Sequence, residues 1–371
     1  MPRQGRSIPK EMTDSQAYVA FNLTEGVGFS TVEKLVEEAG SVVAAWERFE
    51  GKVSRTGKEV DWRREFEKAV RLGVTILTPG DADYPSQLRR APGRPLALYV
   101  KGDVKALSKP ALAIVGTRRA TPYGRDCANR LAYDLSRAGW AVVSGLALGI
   151  DAEAHRGALE AGGVTIGVIG SALDEFFPKQ NLDLARSIAS HGGAVVSEFP
   201  FGRPPDRETF PIRNHVVAAL ARGVVAVEAP HRSGTLITAE IAADLGRTVM
   251  AVPARIDNRM SAGCLQLLRD GAVLVRNADD VLAEMNELIP HSARLAEHAV
   301  EEEADIEVST YSVEESLVML HIDAEGVSID ELVERTGLSV EKVNSVVMQL
   351  RLKGFIRFLP GNRISRLTGK R

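Results

Sequence analysis

Seven short apolar runs, each closed by glycine or a polar residue and followed by a helical pattern, constrain this chain more than any other feature. They read ALAIVG, AVVSG, TIGVIG, AVVSE, VVAVEA, TVMAVP and AVLVR, and they fall between about Pro85 and Pro290. None shows the polar alternation of a half-exposed strand. Strands that alternate with helices and are apolar on both faces predict a doubly wound, mostly parallel α/β sheet with helices on both sides. The expected extent of this domain is 85–290.

The flanks follow other periods. From Ser15 to about Leu77, AYVAFNL, VEKLVEEAG and WRREFEKAVRLG carry apolar residues at helical spacing, which predicts a small helical domain over 1–84. Within it, Glu25-Gly-Val-Gly28 before Ser30-Thr31 is compatible with a helix-hairpin-helix turn that offers amides to a phosphate, or with a plain turn between packed helices. Between Glu297 and Glu307 there are six acidic residues and no Lys or Arg, so 291–310 reads as a solvated linker. Beyond it, YSVEESLVMLHI is amphipathic, Ser328 and Glu331 form a capping box before a second helix, and a third helix leads to a hairpin around Gly361-Asn362. Three helices and a hairpin predict a winged helix over 311–371. From Arg351 to Arg371 there are seven Lys or Arg and no carboxylate, which suits a wing touching duplex phosphates and equally a module that binds only protein.

A length of 371 residues calls for two or three domains, and 44% hydrophobic residues can fill their cores. A net charge of −3 excludes a protein that coats nucleic acid by bulk attraction, so any such site must be local. No apolar run reaches the roughly 20 residues of a membrane span and MPRQGRSIPKEMTDS lacks a secretory signal's apolar stretch, so the expected address is the cytoplasm, with no membrane partner. Cys127 and Cys264 have neither metal-ligand spacing nor a His cluster nearby, and no metal or cofactor is expected.

Ligands of a doubly wound sheet bind beyond the carboxyl ends of its strands. Here those loops carry Gly116-Thr117-Arg118-Arg119, then Ser144-Gly145 leading to Asp151 and His155, then Phe176-Phe177-Pro178-Lys179. Arg207, Phe210, Arg213 and Asn214 follow, and finally Glu228 and Ser233-Gly234-Thr235. Gly, Ser and Thr turns at helix starts present amides to an anion, and an adjacent Arg adds charge and a planar donor fork. Several such loops on one sheet edge predict a phosphate-binding surface. Phe176, Phe177 and Phe210 among cations suit a single strand, whose bases stack while its phosphates pair, although at least one of Phe176 and Phe177 is expected to plug the core. Asp151 is expected to cap its helix, Glu228 to pair with a buried Arg, and His155 to be structural, leaving no catalytic residue.

At IVGTRRATPYG, SGLALGIDAEAH, TIGVIGSALDEFFPKQN, VVSEFPFGRPPDRETFPIRN and VEAPHRSGTLITAEIAADLGRTVMAVP the chain resembles the bacterial DNA processing protein A (DprA, or Smf) family. The match is strong from about Ala111 to Val281, and the flanking domains match in position and pattern. The resemblance implies an extended Rossmann-like core between a SAM-like helical domain and a winged helix. It further implies a non-enzymatic homodimer that binds single-stranded DNA and loads a RecA-type recombinase during natural transformation. It places Arg118, Lys179 and Arg207 against the DNA backbone, with Arg213 and Asn214 in the family's Arg-Asn-Arg segment. His215 stands where the last Arg is usual, so that cation is not carried over. Thr117 replaces the commoner Ser, and Ala254 replaces a Gly after a strand. Two other readings fit parts of the chain. A phosphoribohydrolase-like nucleotide enzyme would use Ser144-Gly145, Ser233-Gly234-Thr235 and Glu240, but the Gly-Gly-x-Gly-Thr run of those enzymes is absent. A transcription regulator would sense a nucleotide in its core and read duplex DNA with its winged helix.

Overall fold

A computed structural model of the chain describes residues 12–54, 57–287, 313–322, 327–352, 355–359 and 363–366. The chain divides into two compact units, Met1–Pro290 and His291–Arg371.

The first unit opens with helices α1 (Asp14–Leu23), α2 (Phe29–Ala39), α3 (Val42–Arg48) and α4 (Trp62–Leu72). Their core sets Phe21 edge-on to Trp46 at 5.1 Å, with Val32, Val42 and Leu96 around it. In the Glu25–Gly28 turn Gly26 takes a positive φ of 71°, and Gly28 is the N-cap of α2. The helical expectation fails at its far end. After Gly73 closes α4 at φ 61°, Thr75–Leu77 forms strand β1 and pairs antiparallel with β2 (Leu98–Gly102), so three residues of the expected helical segment belong to the sheet. Three residues are too few to show a period, and only pairing makes them a strand. Side chains also fasten α4 to the sheet domain. Glu65 accepts from the Phe201 amide at 2.8 Å, and Lys68 pairs with Asp174 at 2.6 Å.

All seven predicted strands are present: β3 (Ala111–Val115), β4 (Ala141–Ser144), β5 (Thr165–Val168), β6 (Ala194–Ser197), β7 (Gly223–Ala226), β8 (Thr248–Ala251) and β9 (Val273–Leu274). The sheet runs β1-β2-β6-β5-β4-β3-β7-β8-β9, parallel from β6 to β9 and antiparallel at β1 and β2. The connecting helices are α5 (Ser86–Arg90), α6 (Pro122–Arg137), α7 (Ile150–Glu160), α8 (Leu182–Ser190), α9 (Thr209–Leu220), α10 (Gly234–Asp244), α11 (Ala262–Arg269) and α12 (Ala278–Glu287). Alternate residues of β3 separate the two faces. Leu112 and Ile114 pack with Leu131, Leu135 and Ala154 of α6 and α7, while Ala113 and Val115 pack with Val216–Leu220 of α9 and Ala242 of α10. Burial on both faces is why these strands lack polar alternation. Chain order reverses between β3 and β7, and at such a switch point the loops diverge and leave a crevice beyond the strand ends.

The second unit contains α13 (Val313–Leu320), β10 (Val327–Ser328), α14 (Ile329–Thr336), α15 (Val340–Leu352), β11 (Ile356–Leu359) and β12 (Arg363–Arg366). The predicted capping box of Ser328 and Glu331 opens α14, and Gly337 closes it at φ 69°. Val318, Leu332, Val343, Leu350, Ile356 and Ile364 form its core, and β11 pairs with β12 with Phe358 opposite Ile364. This is the expected winged helix. The acidic linker and the Gly361-Asn362 turn lie outside the described residues.

Candidate functional site

The switch point holds a cleft of about 340 Å³. Eight of the predicted site residues line it: Gly116, Thr117 and Arg118 after β3, Arg213 and Asn214 on α9, and Ser233, Gly234 and Thr235 at the start of α10. A smaller adjoining pocket, sharing Arg118 and Arg213, brings in Gly145 and Phe177. Arg119 and Phe210, both on the strand-end loops the sequence pointed to, also line the cleft, and so does Thr238, which the sequence reading did not single out. Thr238 was legible once α10 was accepted, because it lies three residues after Thr235 and so on the same face.

Glycines set the shape of the floor. A Cβ on Gly116 would lie 2.5 Å from Ile150, and one on Gly149, at φ 80°, 2.4 Å from the Thr117 carbonyl oxygen. Larger residues would therefore push the loop after β3 off the start of α7. The loop after β4 is held from the other side. Leu146 takes a positive φ of 52°, unusual for a residue with a side chain, and buried Asn181 donates to the carbonyls of Leu146 and Ala147 at 2.8 and 3.1 Å.

Two carboxylates have exchanged the roles expected of them. Among the described residues Glu228 pairs with no Arg; its carboxylate accepts from the Thr121 amide at 2.9 Å and the Thr121 hydroxyl at 2.6 Å, anchoring the Arg118 loop to the end of β7. Asp151 does not cap α7, whose N-cap is Gly149 without a side-chain bond. Its Oδ2 lies 3.8 Å from Arg213 Nη1 and accepts from the Ala147 amide at 3.4 Å. The N-cap reading failed because the buried guanidinium, invisible in the local sequence, is the stronger partner. Burial pushes the Asp151 carboxyl up and the Arg213 guanidinium down, and each opposes the shift of the other.

His155 lies in the interior rather than in the cleft lining, and among the described residues its Nε2 has no partner. It is fully buried, and Thr165 donates its hydroxyl hydrogen to the Val142 carbonyl, so His155 Nδ1, 2.6 Å from Thr165 Oγ1, must be the donor. Burial lowers its pKa to about 3.

At the mouth of the cleft, exposed Arg118 sets its guanidinium 4.7 Å from the centre of the Phe210 ring. Phe177 is 43% exposed and 6.4 Å from Phe210, whereas Phe176 packs against the core of Leu146 and Ile169. Phe176 plugs the core, as expected of at least one of the pair, and Phe177 faces solvent. Lys179 and Arg207 are exposed but do not line the cleft, and Ser144 is buried with its hydroxyl donating to the Ile114 carbonyl at 2.6 Å. His215 is half-buried beside Gly93 with its pKa lowered by burial, away from the lining. Among the described residues no group of three or more His, Cys, Asp or Glu could hold a metal ion, and no helix is long and apolar enough to cross a membrane.

Fold and site together define a doubly wound, Rossmann-like protein with a cationic cleft at its switch point and an appended winged helix. Residues 75–286 match the DNA recombination-mediator protein A family, residues 307–362 match the DprA winged helix domain, and the chain belongs to this family. Protein Smf of Escherichia coli (strain K12) is 36% identical over 286 residues, covering 77% of this chain and 76% of that protein. DNA processing protein DprA of Streptococcus pneumoniae (strain ATCC BAA-255 / R6) is 40% identical over 221 residues, covering 60% and 76%. The X-ray structure of Streptococcus pneumoniae DprA superposes with a TM-score of 0.62 at 32% identity, covering 74% of this chain and 98% of that one. DNA processing protein A of Helicobacter pylori, described for its single-stranded DNA binding mode, superposes at 0.52 with 30% identity, covering 58% and 96%.

Proposed function

We propose that this family member binds single-stranded DNA in the switch-point cleft and passes it to a RecA-type recombinase during DNA uptake, as a cytoplasmic homodimer without catalytic activity of its own. The observation that carries the reading is the Arg118–Phe210–Phe177 cluster at the cleft mouth. It sets a guanidinium and two aromatic rings together, the combination that pairs with a phosphate while bases stack. The amides at the start of α10 add donors for a second phosphate. Exposed Lys179 and Arg207, on the segments that carry Phe177 and Phe210, would extend the track beyond the cleft. The single-stranded DNA binding described for the Helicobacter pylori relative supports the same ligand. Against a nucleotide hydrolase, Asp151 is committed to Arg213, and Glu240 is exposed on α10 outside the cleft lining.

The test is the affinity for labelled oligo-dT and for duplex DNA across a salt series, in wild type and in the Arg118→Ala, Lys179→Ala double variant. Preference for the single strand is expected, with a salt slope reduced in the variant by roughly 0.7 for each phosphate no longer neutralised. Equal binding by wild type and variant would overturn the reading. Recombinase loading is then read from the rate at which a RecA-type protein forms filaments on strands already coated by a single-strand-binding protein.

A further inference from the structure

The opposite edge of the sheet carries a second basic surface. β4 starts after Trp140, β7 after Arg222 and β8 after Arg247, so these three residues stand along the amino edge of the parallel part of the sheet, with β3 between β4 and β7. The Arg222 guanidinium lies 5.7 Å from the Trp140 ring centre. Burial disfavours the charged form of Arg247, and the Arg222 charge acts in the same direction. Arg247 donates to the Ala219 carbonyl at 3.4 Å, while its Nε is buried without a partner among the described residues. A pocket of about 260 Å³ joins Arg247 to exposed Arg90 of α5. Among the described residues none of the three arginines makes an ion pair. Asp244 is the carboxylate in the pocket lining and faces two arginines there.

Gathering three cations around one carboxylate, with no close ion pair among them, raises the energy of the free protein, and an anionic ligand relieves it. In a chain of net charge −3, such clustering is a local feature rather than a spill-over of overall charge. We propose that the amino edge, through Arg90, Arg222 and Arg247 with Trp140 beside them, is a second nucleic-acid contact that takes the phosphodiester backbone of strand leaving the cleft. The inference rests on the cleft being a single-strand site. Strands of four or five residues separate the two edges by about 13–17 Å, at roughly 3.3 Å per residue. Helices cover both faces of the sheet, so the path from one edge to the other runs round a helix layer and is longer than the strands themselves; a strand only long enough to fill the cleft does not reach both, whereas a longer one passes round the domain. A nucleic acid is favoured over an acidic peptide because a guanidinium beside an indole offers a flat face for a base as well as charge.

The test uses full-length protein with oligo-dT of about 6 and about 40 nucleotides, the short one near the lower end of single-strand site sizes. Arg90→Glu and Arg222→Glu change exposed residues; the doubly substituted protein is compared with wild type and with Arg118→Ala. The amino-edge variant is expected to bind the short strand as wild type does, and to bind the long strand about ten-fold more weakly with a salt slope lower by about 1.4, which is two phosphates at roughly 0.7 each. Arg118→Ala should weaken both strands. If Arg118→Ala weakens both and the amino-edge variant weakens neither, the second contact is overturned while the cleft stands. If Arg118→Ala changes neither, the cleft reading has failed. Loss of poly-glutamate binding in the amino-edge variant with unchanged long-strand binding would assign the surface to an acidic protein partner and overturn the proposal.

Discussion

Arg213 lies with Nη1 3.8 Å from Asp151 Oδ2, both side chains more than nine-tenths buried, and its guanidinium occupies the space that a side chain on residue 145 would need. A Cβ built on Gly145 falls 1.2 Å from Nη1. The cleft thus has a charged floor whose cation is held by a carboxylate on α7 and seated on a glycine after β4. Charges this buried depend on each other more than on any ligand, and removing one partner leaves the other unpaired in a low-dielectric site.

Asp151→Ala should accordingly destabilise the first unit by about 3–5 kcal/mol, the usual cost of stranding a buried charge. Urea denaturation followed by tryptophan fluorescence measures this. An unchanged midpoint would mean that Arg213 finds another partner or leaves the interior.

Gly145→Ala tests the seat and leaves the charges intact. The guanidinium has to move, and the expected result is at least about a ten-fold loss of oligo-dT affinity, equivalent to roughly 1.4 kcal/mol, with secondary structure retained by circular dichroism. Affinity equal to wild type would show that the position of Arg213 does not matter to binding.

Much of this arrangement was readable from sequence because it depends on local pattern. The seven strands announced themselves by apolar runs buried on both faces, and sheet topology then obliges their carboxyl ends to face one crevice. That logic found Arg118, Arg213 and the Ser233–Thr235 turn. It could not assign Asp151 and Glu228, because their partners lie 62 and 107 residues away and only the tertiary structure chooses between a helix cap, a hydroxyl and a guanidinium. It also missed β1, which exists through its pairing with Leu98–Val100. Ser144 misled for a related reason. A Ser-Gly turn at a strand end suggests ligand contact, yet here the hydroxyl faces inward to the Ile114 carbonyl.

His155 makes a signed prediction about pH. Burial lowers its pKa to about 3 from an ordinary 6.5, so the folded protein holds it neutral while the unfolded chain takes up a proton below pH 6.5. Its contribution to stability is complete above pH 6.5 and is lost as pH falls toward 3, at about 1.4 kcal/mol per pH unit. Relative to wild type, His155→Gln should show a shallower loss of stability in acid. A parallel pH profile would show that the ring protonates in the folded state.

Glu198 works with the opposite sign. Its Oε1 is buried without a partner among the described residues, and burial raises its pKa to about 8 from an ordinary 4.5. A raised carboxyl favours the folded state most below pH 4.5, and that contribution fades as pH rises toward 8. Glu198→Gln should therefore gain about 1–3 kcal/mol over wild type near pH 8 and little near pH 5, because the amide needs no proton to stay neutral. Between pH 4.5 and 6.5 the His155 and Glu198 effects oppose each other, so each single variant should expose the slope of the other. Destabilisation of Glu198→Gln at pH 8 would show that the carboxylate is charged and satisfied in the fold.

Phe177 separates stacking from charge in the cleft. It is 43% exposed and contributes no charge, so Phe177→Ala should leave the fold and the salt slope unchanged. Losing one base–aromatic stack should weaken oligo-dT binding by about 1–3 kcal/mol, roughly 5- to 150-fold. Arg118→Ala should instead lower the slope, since it removes a phosphate partner as well as the cation beside Phe210. Substituting Trp at 177 should restore or exceed wild-type affinity, because a larger ring offers more stacking area. Should Phe177→Ala bind as tightly as wild type while Arg118→Ala fails, the strand is held by its backbone alone and the aromatic pair serves only to position the guanidinium.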